Sequence, residues 1–179
     1  MIVALSETDQ LTGLANRRFM EKRLIEAVEH GPVGVVMLDL DDFKDVNDSL
    51  GHNTGDEFLR QIAARLEQIV HGEDTLARLG GDEFLIISTS DVKDLAARVR
   101  FALQEPILIR SGLGVPIQAS VGTASYPQDT EGFHGTDAVK HLLHVADSRM
   151  YASKKYSSNF QSTAEKQGRL KDRRTAMRP

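Results

Sequence analysis

Apolar residues recur at three- and four-residue intervals over residues 16–29, 56–70, 92–103 and 137–154, a period that predicts four amphipathic helices. Between them lie apolar runs too brief for helices of their own, at 33–38, 75–79, 84–88, 107–109 and 117–125, which predict strands. The first run continues as Val-Gly-Val-Val-Met-Leu-Asp-Leu-Asp-Asp to residue 42, valine-rich and almost unbroken, as a buried central strand requires. Strands interleaved with helices, with a hairpin in the middle, predict an α+β fold with a ferredoxin-like βαββαβ core, its central antiparallel sheet flanked by helices. Periodicity alone does not separate this from a doubly wound sheet.

Composition narrows the class. At 179 residues and 40% hydrophobic, the chain has enough apolar surface for one sizeable core. It has no cysteine, which excludes a disulfide framework, a thiolate metal site and a cysteine nucleophile, and fits a cytoplasmic setting. The longest apolar runs fall far short of a membrane span, and residues 1–8 are no signal peptide. The net charge of −4 argues against nucleic-acid binding. Residues 161–179 carry six basic side chains against Glu165 and Asp172, a balance of +4 that leaves −8 on residues 1–160. Few large apolar residues occur there, so the domain is expected to end near residue 160, with a basic linker or exposed helix after it.

The candidate chemistry gathers at two strand ends. Residues 78–84 read Arg-Leu-Gly-Gly-Asp-Glu-Phe between two apolar runs. Gly80 and Gly81 let a ligand approach the backbone, and Asp82 and Glu83 add the hard oxygens that hold Mg²⁺. An ordinary Gly-Gly turn with solvated acids is the plainer reading of this stretch alone. Upstream, the buried strand ends in Asp39 and Asp41, two residues apart and so inclined to one face. Two such carboxylate-bearing ends side by side form a phosphoryl-transfer metal site; a simple exit into a turn is the other reading. After them come Asp42, Phe43 and Lys44, a lysine suited to phosphate, then Asn47, Gly51-His52 and Gly55-Asp56. Asn47 and Asp56 present an amide and a carboxylate suited to a guanine edge. Asp56 also precedes a helical pattern, where it reads equally as an N-cap.

These motifs together resemble the GGDEF domain, the catalytic module of diguanylate cyclases. The resemblance covers residues 9–159: Asp9-Gln-Leu-Thr-Gly-Leu-Ala-Asn-Arg-Arg18, then Asp39-Leu-Asp-Asp-Phe-Lys-Asp-Val-Asn47 with Gly51-His52 and Gly55-Asp56. The signature Gly80-Gly-Asp-Glu-Phe84 follows, then the strand Ala119–Pro127 and a closing helix with Ala146-Asp147 and Met150-Tyr-Ala-Ser-Lys154. It implies the palm-like sheet of nucleotide cyclases and condensation of two GTP into cyclic di-GMP across an antiparallel homodimer. It further implies Mg²⁺, with Mn²⁺ as a substitute, held by Asp39, Asp82 and the Leu40 carbonyl. Glu83 is implied at that centre or beside the attacking hydroxyl. The amides of Asp42 and Phe43 with the side chains of Lys44 and Lys154 are implied for the phosphates, and Asn47 and Asp56 for guanine.

Two positions depart from the family pattern. Ser158 stands where a phosphate-clamping arginine is usual, and His71-Gly-Glu-Asp74 replaces the arginine of an Arg-x-x-Asp product-inhibition site. Histidine has no bidentate fork, so weak or absent product inhibition is expected. His141 and His144 are expected as surface or packing residues, His52 as a structural hydrogen-bonder, Asp9 and Asn16-Arg17-Arg18 as entry geometry. Arg78 is expected to brace the hairpin or bind a regulatory ligand. The chain opens eight residues before the first motif, as expected of a module driven by an upstream sensory domain. A catalytically silent module that binds GTP or cyclic di-GMP to regulate a partner remains the alternative.

Overall fold

The chain runs β1 (Ala15–Asn16), α1 (Arg17–His30), β2 (Val33–Leu40), α2 (Phe43–Leu50), α3 (His52–Glu67), β3 (Thr75–Gly80), β4 (Glu83–Ser88), α4 (Val92–Ala102), β5 (Ile107–Leu108), β6 (Gly114–Val115), β7 (Ala119–Tyr126) and α5 (Gly135–Thr175). This structure, a computed structural model, describes residues 6–175, with side chains described through residue 155. The five-stranded sheet has the order β1-β3-β4-β2-β7, and a separate two-stranded ribbon pairs β5 with β6. β2 lies antiparallel to both β4 and β7, β3 lies antiparallel to β4, and only the short β1 pairs in parallel, with β3. This is the expected βαββαβ core with a small strand added at one edge.

Alternation along β2 builds both hydrophobic layers. Val36, Leu38 and Leu40 pack with Phe58, Leu59 and Ile62 of α3 and with Leu95 and Val99 of α4. Val33, Val35 and Met37 face the other way, onto Met20 and Leu24 of α1 and Leu142 and Ala146 of α5. Extending that parity puts Asp39 and Asp41 on the α5 side. β7 meets α5 so closely at Gly122 that a side chain there would strike the Ala146 carbonyl and the Met150 backbone.

The expected elements are present, and the differences have local causes. α2 is an extra helix: Phe43, Val46 and Leu50 have helical spacing, but over only eight residues before Gly51 breaks it. α3 begins at His52, four residues before the expected start, with Gly51 at φ 84° as its N-cap. Asp56 is therefore not a cap but lies inside the helix. β1 and β6, two residues each, are too short to leave a period. The α5 backbone does not stop at Lys154 but continues through Thr175, into residues expected as linker or helix. Ser158 lies outside the described side chains.

Candidate functional site

The end of β2 and the β3–β4 hairpin meet at one edge of the sheet. Asp39 stands opposite Glu83 of β4 and Ser120 of β7, and the Leu40 amide donates to the Asp82 carbonyl at 3.2 Å. The hairpin reverses at Gly80 (φ 137°) and Gly81 (φ 53°), backbone values that a side chain would oppose. A register shift between Arg78 and Gly80 sharpens the turn. Arg78 braces it: Nε and Nη2 donate to the Gly81 carbonyl at 3.0 and 2.7 Å, and Nη1 donates to the Asp9 carboxylate at 3.0 Å. Asp9, which also accepts from Thr12, thereby ties the opening motif to the signature hairpin.

α5 brings Lys154 across to this edge. Its ammonium donates to Asp39 Oδ1 at 2.6 Å and lies 3.7 Å from Asp41 Oδ1. Asp41 is held from the far side by Ser120, whose hydroxyl donates to both carboxylate oxygens at 2.9 and 3.1 Å. Arg17 of α1 approaches Glu83 to 3.7 Å. Asp39, Glu83, Asp147, Met150, Tyr151 and Lys154 line a cavity of about 310 Å³. A second, of about 250 Å³, shares Glu83 and Asp147 with it and reaches Arg17.

Acid charge is in excess here. Burial, and then the charge of Asp39, push the Asp82 carboxyl above the usual carboxylate range. Burial and Asp39 push Glu83 up likewise, with Arg17 opposing. Asp41 is raised by burial against the pull of the Ser120 hydroxyl and Lys154, while the bond to Asp39 raises Lys154. Carboxylates that disfavour their own ionisation suit a hard divalent cation. Among the described residues no three His, Cys, Asp or Glu side chains converge on one point. Asp39 and Asp82, with Leu40 next to Asp39 at the end of β2, are the donors expected from the sequence for Mg²⁺, and the two carboxylates lie near enough for the charge of Asp39 to raise Asp82.

The base-reading candidates sit on α2 and α3. Asn47 of α2 lies over the buried Gly55 of α3, where any side chain would collide with its amide, and Asp56 follows directly. Phe43 stacks on Phe58 with ring centroids 6.1 Å apart, fixing α2 on α3. Asp42 takes the left-handed conformation, φ 57°, at the head of α2 and its side chain makes no capping bond. An uncapped helix start of this kind attracts anions. Lys44 is exposed.

Elsewhere the candidates separate. The Asp74 carboxylate accepts the His71 backbone N–H at 3.0 Å and so braces its own turn. His71 instead lines a cavity of about 440 Å³ with Ile69, Arg98 and Phe101. His141 stacks on Phe133 at 4.3 Å. A further cavity, about 690 Å³ and bordered by Lys93, Tyr126 and Arg149, lies at the opposite end of β2 and holds none of the predicted site residues. Sequence reasoning gave no site role to Arg17, Ser120 or Asp147, and named Asp41 only as the second carboxylate at the strand end. Strand parity could have found Ser120, which shares its face of β7 with Gly122; no local signal marks Arg17.

A family model described as "Diguanylate cyclase, GGDEF domain" matches residues 6–159. The cyclic di-GMP phosphodiesterase PdeR of Escherichia coli is 40% identical over 158 residues, which are 84% of this chain and 23% of PdeR. The diguanylate cyclase TpbB of Pseudomonas aeruginosa is 36% identical over 167 residues, 88% of this chain and 37% of TpbB. The chain thus spans well under half the length of either relative. Among solved structures, the GGDEF domain of DgcB from Caulobacter crescentus in complex with c-di-GMP superposes with a TM-score of 0.74 at 31% identity, over 88% of this chain and 92% of that one.

Proposed function

The chain belongs to the diguanylate cyclase GGDEF domain family, and from that premise we propose that it condenses two GTP into cyclic di-GMP and two pyrophosphates. The 3′-hydroxyl oxygen of each nucleotide attacks the α-phosphorus of the other. Two phosphoester bonds form, two α–β phosphoanhydride bonds break, and each hydroxyl releases its proton. The observation that supports this reading is that Lys154 meets Asp39, which stands opposite Glu83 and acts by its charge on Asp82, beside a hairpin tip whose glycines leave the backbone open.

Asp39, Asp82 and the Leu40 carbonyl hold Mg²⁺, or Mn²⁺ in its place, which when bound offsets charge on the leaving pyrophosphate. Lys44, Lys154 and the amides of Asp42 and Phe43 hold the β- and γ-phosphates. Glu83, beside Asp39, positions the attacking hydroxyl, and Asn47 with Asp56 reads the guanine edge. One chain presents one nucleotide, so in-line attack calls for two chains face to face. Residues 1–160 form the cyclase module in this reading, in the cytoplasm, and residues 161–179 are a basic tail or linker.

Incubation with GTP and Mg²⁺, followed by anion-exchange chromatography, tests it. Cyclic di-GMP with two equivalents of pyrophosphate, lost at least about a hundredfold in Asp82→Asn, is the expected result. Bound GTP without product would favour a silent regulatory module instead. The similarity to PdeR, a protein named for phosphodiesterase activity, is the observation behind that second reading.

A further inference from the structure

Asp41 has no part in the donor set above, yet it is among the most enclosed charges at the site, its side chain 9% exposed. It lies two residues after Asp39, on the same side of the chain, and both approach the Lys154 ammonium. Nothing in strand geometry keeps Asp41 from joining Asp39 at a cation. What sets the two carboxylates apart is β7. Ser120, fully buried, donates its hydroxyl across both Asp41 oxygens, and the Asp41 amide donates to the Gln118 carbonyl at 2.8 Å. Asp41 is clamped to β7 at backbone and side chain, whereas among the described residues the Asp39 side chain is held by a lysine on a flexible stem.

We propose that Ser120 and Asp41 are positioning residues for Lys154: Ser120 holds Asp41 away from the metal, and Asp41 holds the lysine when Asp39 turns to the metal. Among the described residues Lys154 has two carboxylates within ion-pair distance, Asp39 at 2.6 Å and Asp41 at 3.7 Å, with Asp82 acting on it from farther off. Once Asp39 is engaged by a cation, the shorter contact is lost. A lysine with no second partner then reverts to its solvated rotamers, and each phosphate-bound turn has to order it again. With Asp41 fixed by Ser120, the ammonium stays within reach of the β- and γ-phosphates. This rests on the phosphate role given to Lys154 above, and it assigns to Asp41 and Ser120 an effect that is visible only through that lysine.

The test compares affinity for 3′-deoxy-GTP, which lacks the attacking hydroxyl, with affinity for GMP, which lacks the phosphates Lys154 would hold. Calorimetry with Mn²⁺ present reads both in wild type, Asp41→Asn, Ser120→Ala and Lys154→Gln. The triphosphate preference is expected to fall about tenfold in Lys154→Gln and nearly as far in Asp41→Asn, with a smaller fall in Ser120→Ala. GMP affinity stays near wild type in all three. In Lys154→Gln/Asp41→Asn the preference is no lower than in Lys154→Gln alone, because both changes remove one contact. Mn²⁺ binding, read from its paramagnetic resonance signal, survives Asp41→Asn and is lost in Asp39→Asn. Ser120→Ala carries no charge change and serves if Asp41→Asn fails to fold. An unchanged preference in Asp41→Asn and Ser120→Ala would overturn the proposal, as would additive losses in the double variant or loss of Mn²⁺ in Asp41→Asn. A wild-type protein with no preference for the triphosphate would remove the phosphate role of Lys154 itself.

Discussion

Asp82 illustrates how a functional carboxylate weighs against stability. Its pKa lies above the usual range in the folded chain, mainly through burial and then through Asp39. The folded state therefore binds a proton more tightly than the unfolded one. Between the ordinary carboxylate pKa and the raised one, stability falls as pH rises, and the whole penalty is present at neutral pH. Asp82→Asn should stabilise the metal-free protein at pH 7.5 while it removes turnover. Solvent screening at this partly exposed side chain keeps the gain under about 1 kcal/mol, or about 2–4 °C in melting temperature. The gain should shrink as pH falls and vanish only well below the ordinary carboxylate pKa, at about pH 3, and paired melts at pH 7.5 and about pH 3 check this. Gly55 makes a complementary case, since alanine normally improves a helix interior but here its methyl would drive into the Asn47 amide. Gly55→Ala should weaken GTP binding about tenfold and narrow the preference over ATP, measured by competition binding. Asp39, Asp82 and Glu83 were legible as a cluster because apolar runs deliver them to strand ends. The contacts of Lys154 with Asp39 and of Ser120 with Asp41 were not, because they join residues 115 and 79 positions apart.

At the scale of elements, the signal followed length. The long runs and periods gave β2, the hairpin and four helices, because each buries a face that the sequence must keep apolar. α2 and the early start of α3 escaped notice since Gly51 interrupts them, and a local capping pattern at Asp56 looked like a beginning. The consequence is functional: Asn47 and Asp56 are presented by two helices meeting at a corner, not by a loop and a cap. α5 matters in a different way, as the element that carries Asp147 and Lys154 to the cavity beside the sheet edge. Its seat is Gly122, where fixed backbone on both sides leaves no room to relax. Gly122→Ala should cost about 1–3 kcal/mol in denaturant unfolding and lift α5 from β7. Phosphate affinity should fall with it, although no site residue is touched.

At the scale of the whole molecule, the family and the fold followed from five motifs in order. In the proposed reading, one chain offers among its described residues one acidic edge and one pair of residues, Asn47 and Asp56, for guanine. No helix among the described residues is long and apolar enough to cross a membrane. If two chains must meet face to face, the rate of condensation depends on how many have met. The most direct measurement is the initial rate of cyclic di-GMP formation across a wide range of protein concentration at saturating GTP and Mg²⁺. A two-chain site predicts a rate that climbs with the square of concentration when dilute and becomes linear once dimers are saturated. Nucleotide bound but no cyclic di-GMP at any concentration would contradict the cyclase reading outright.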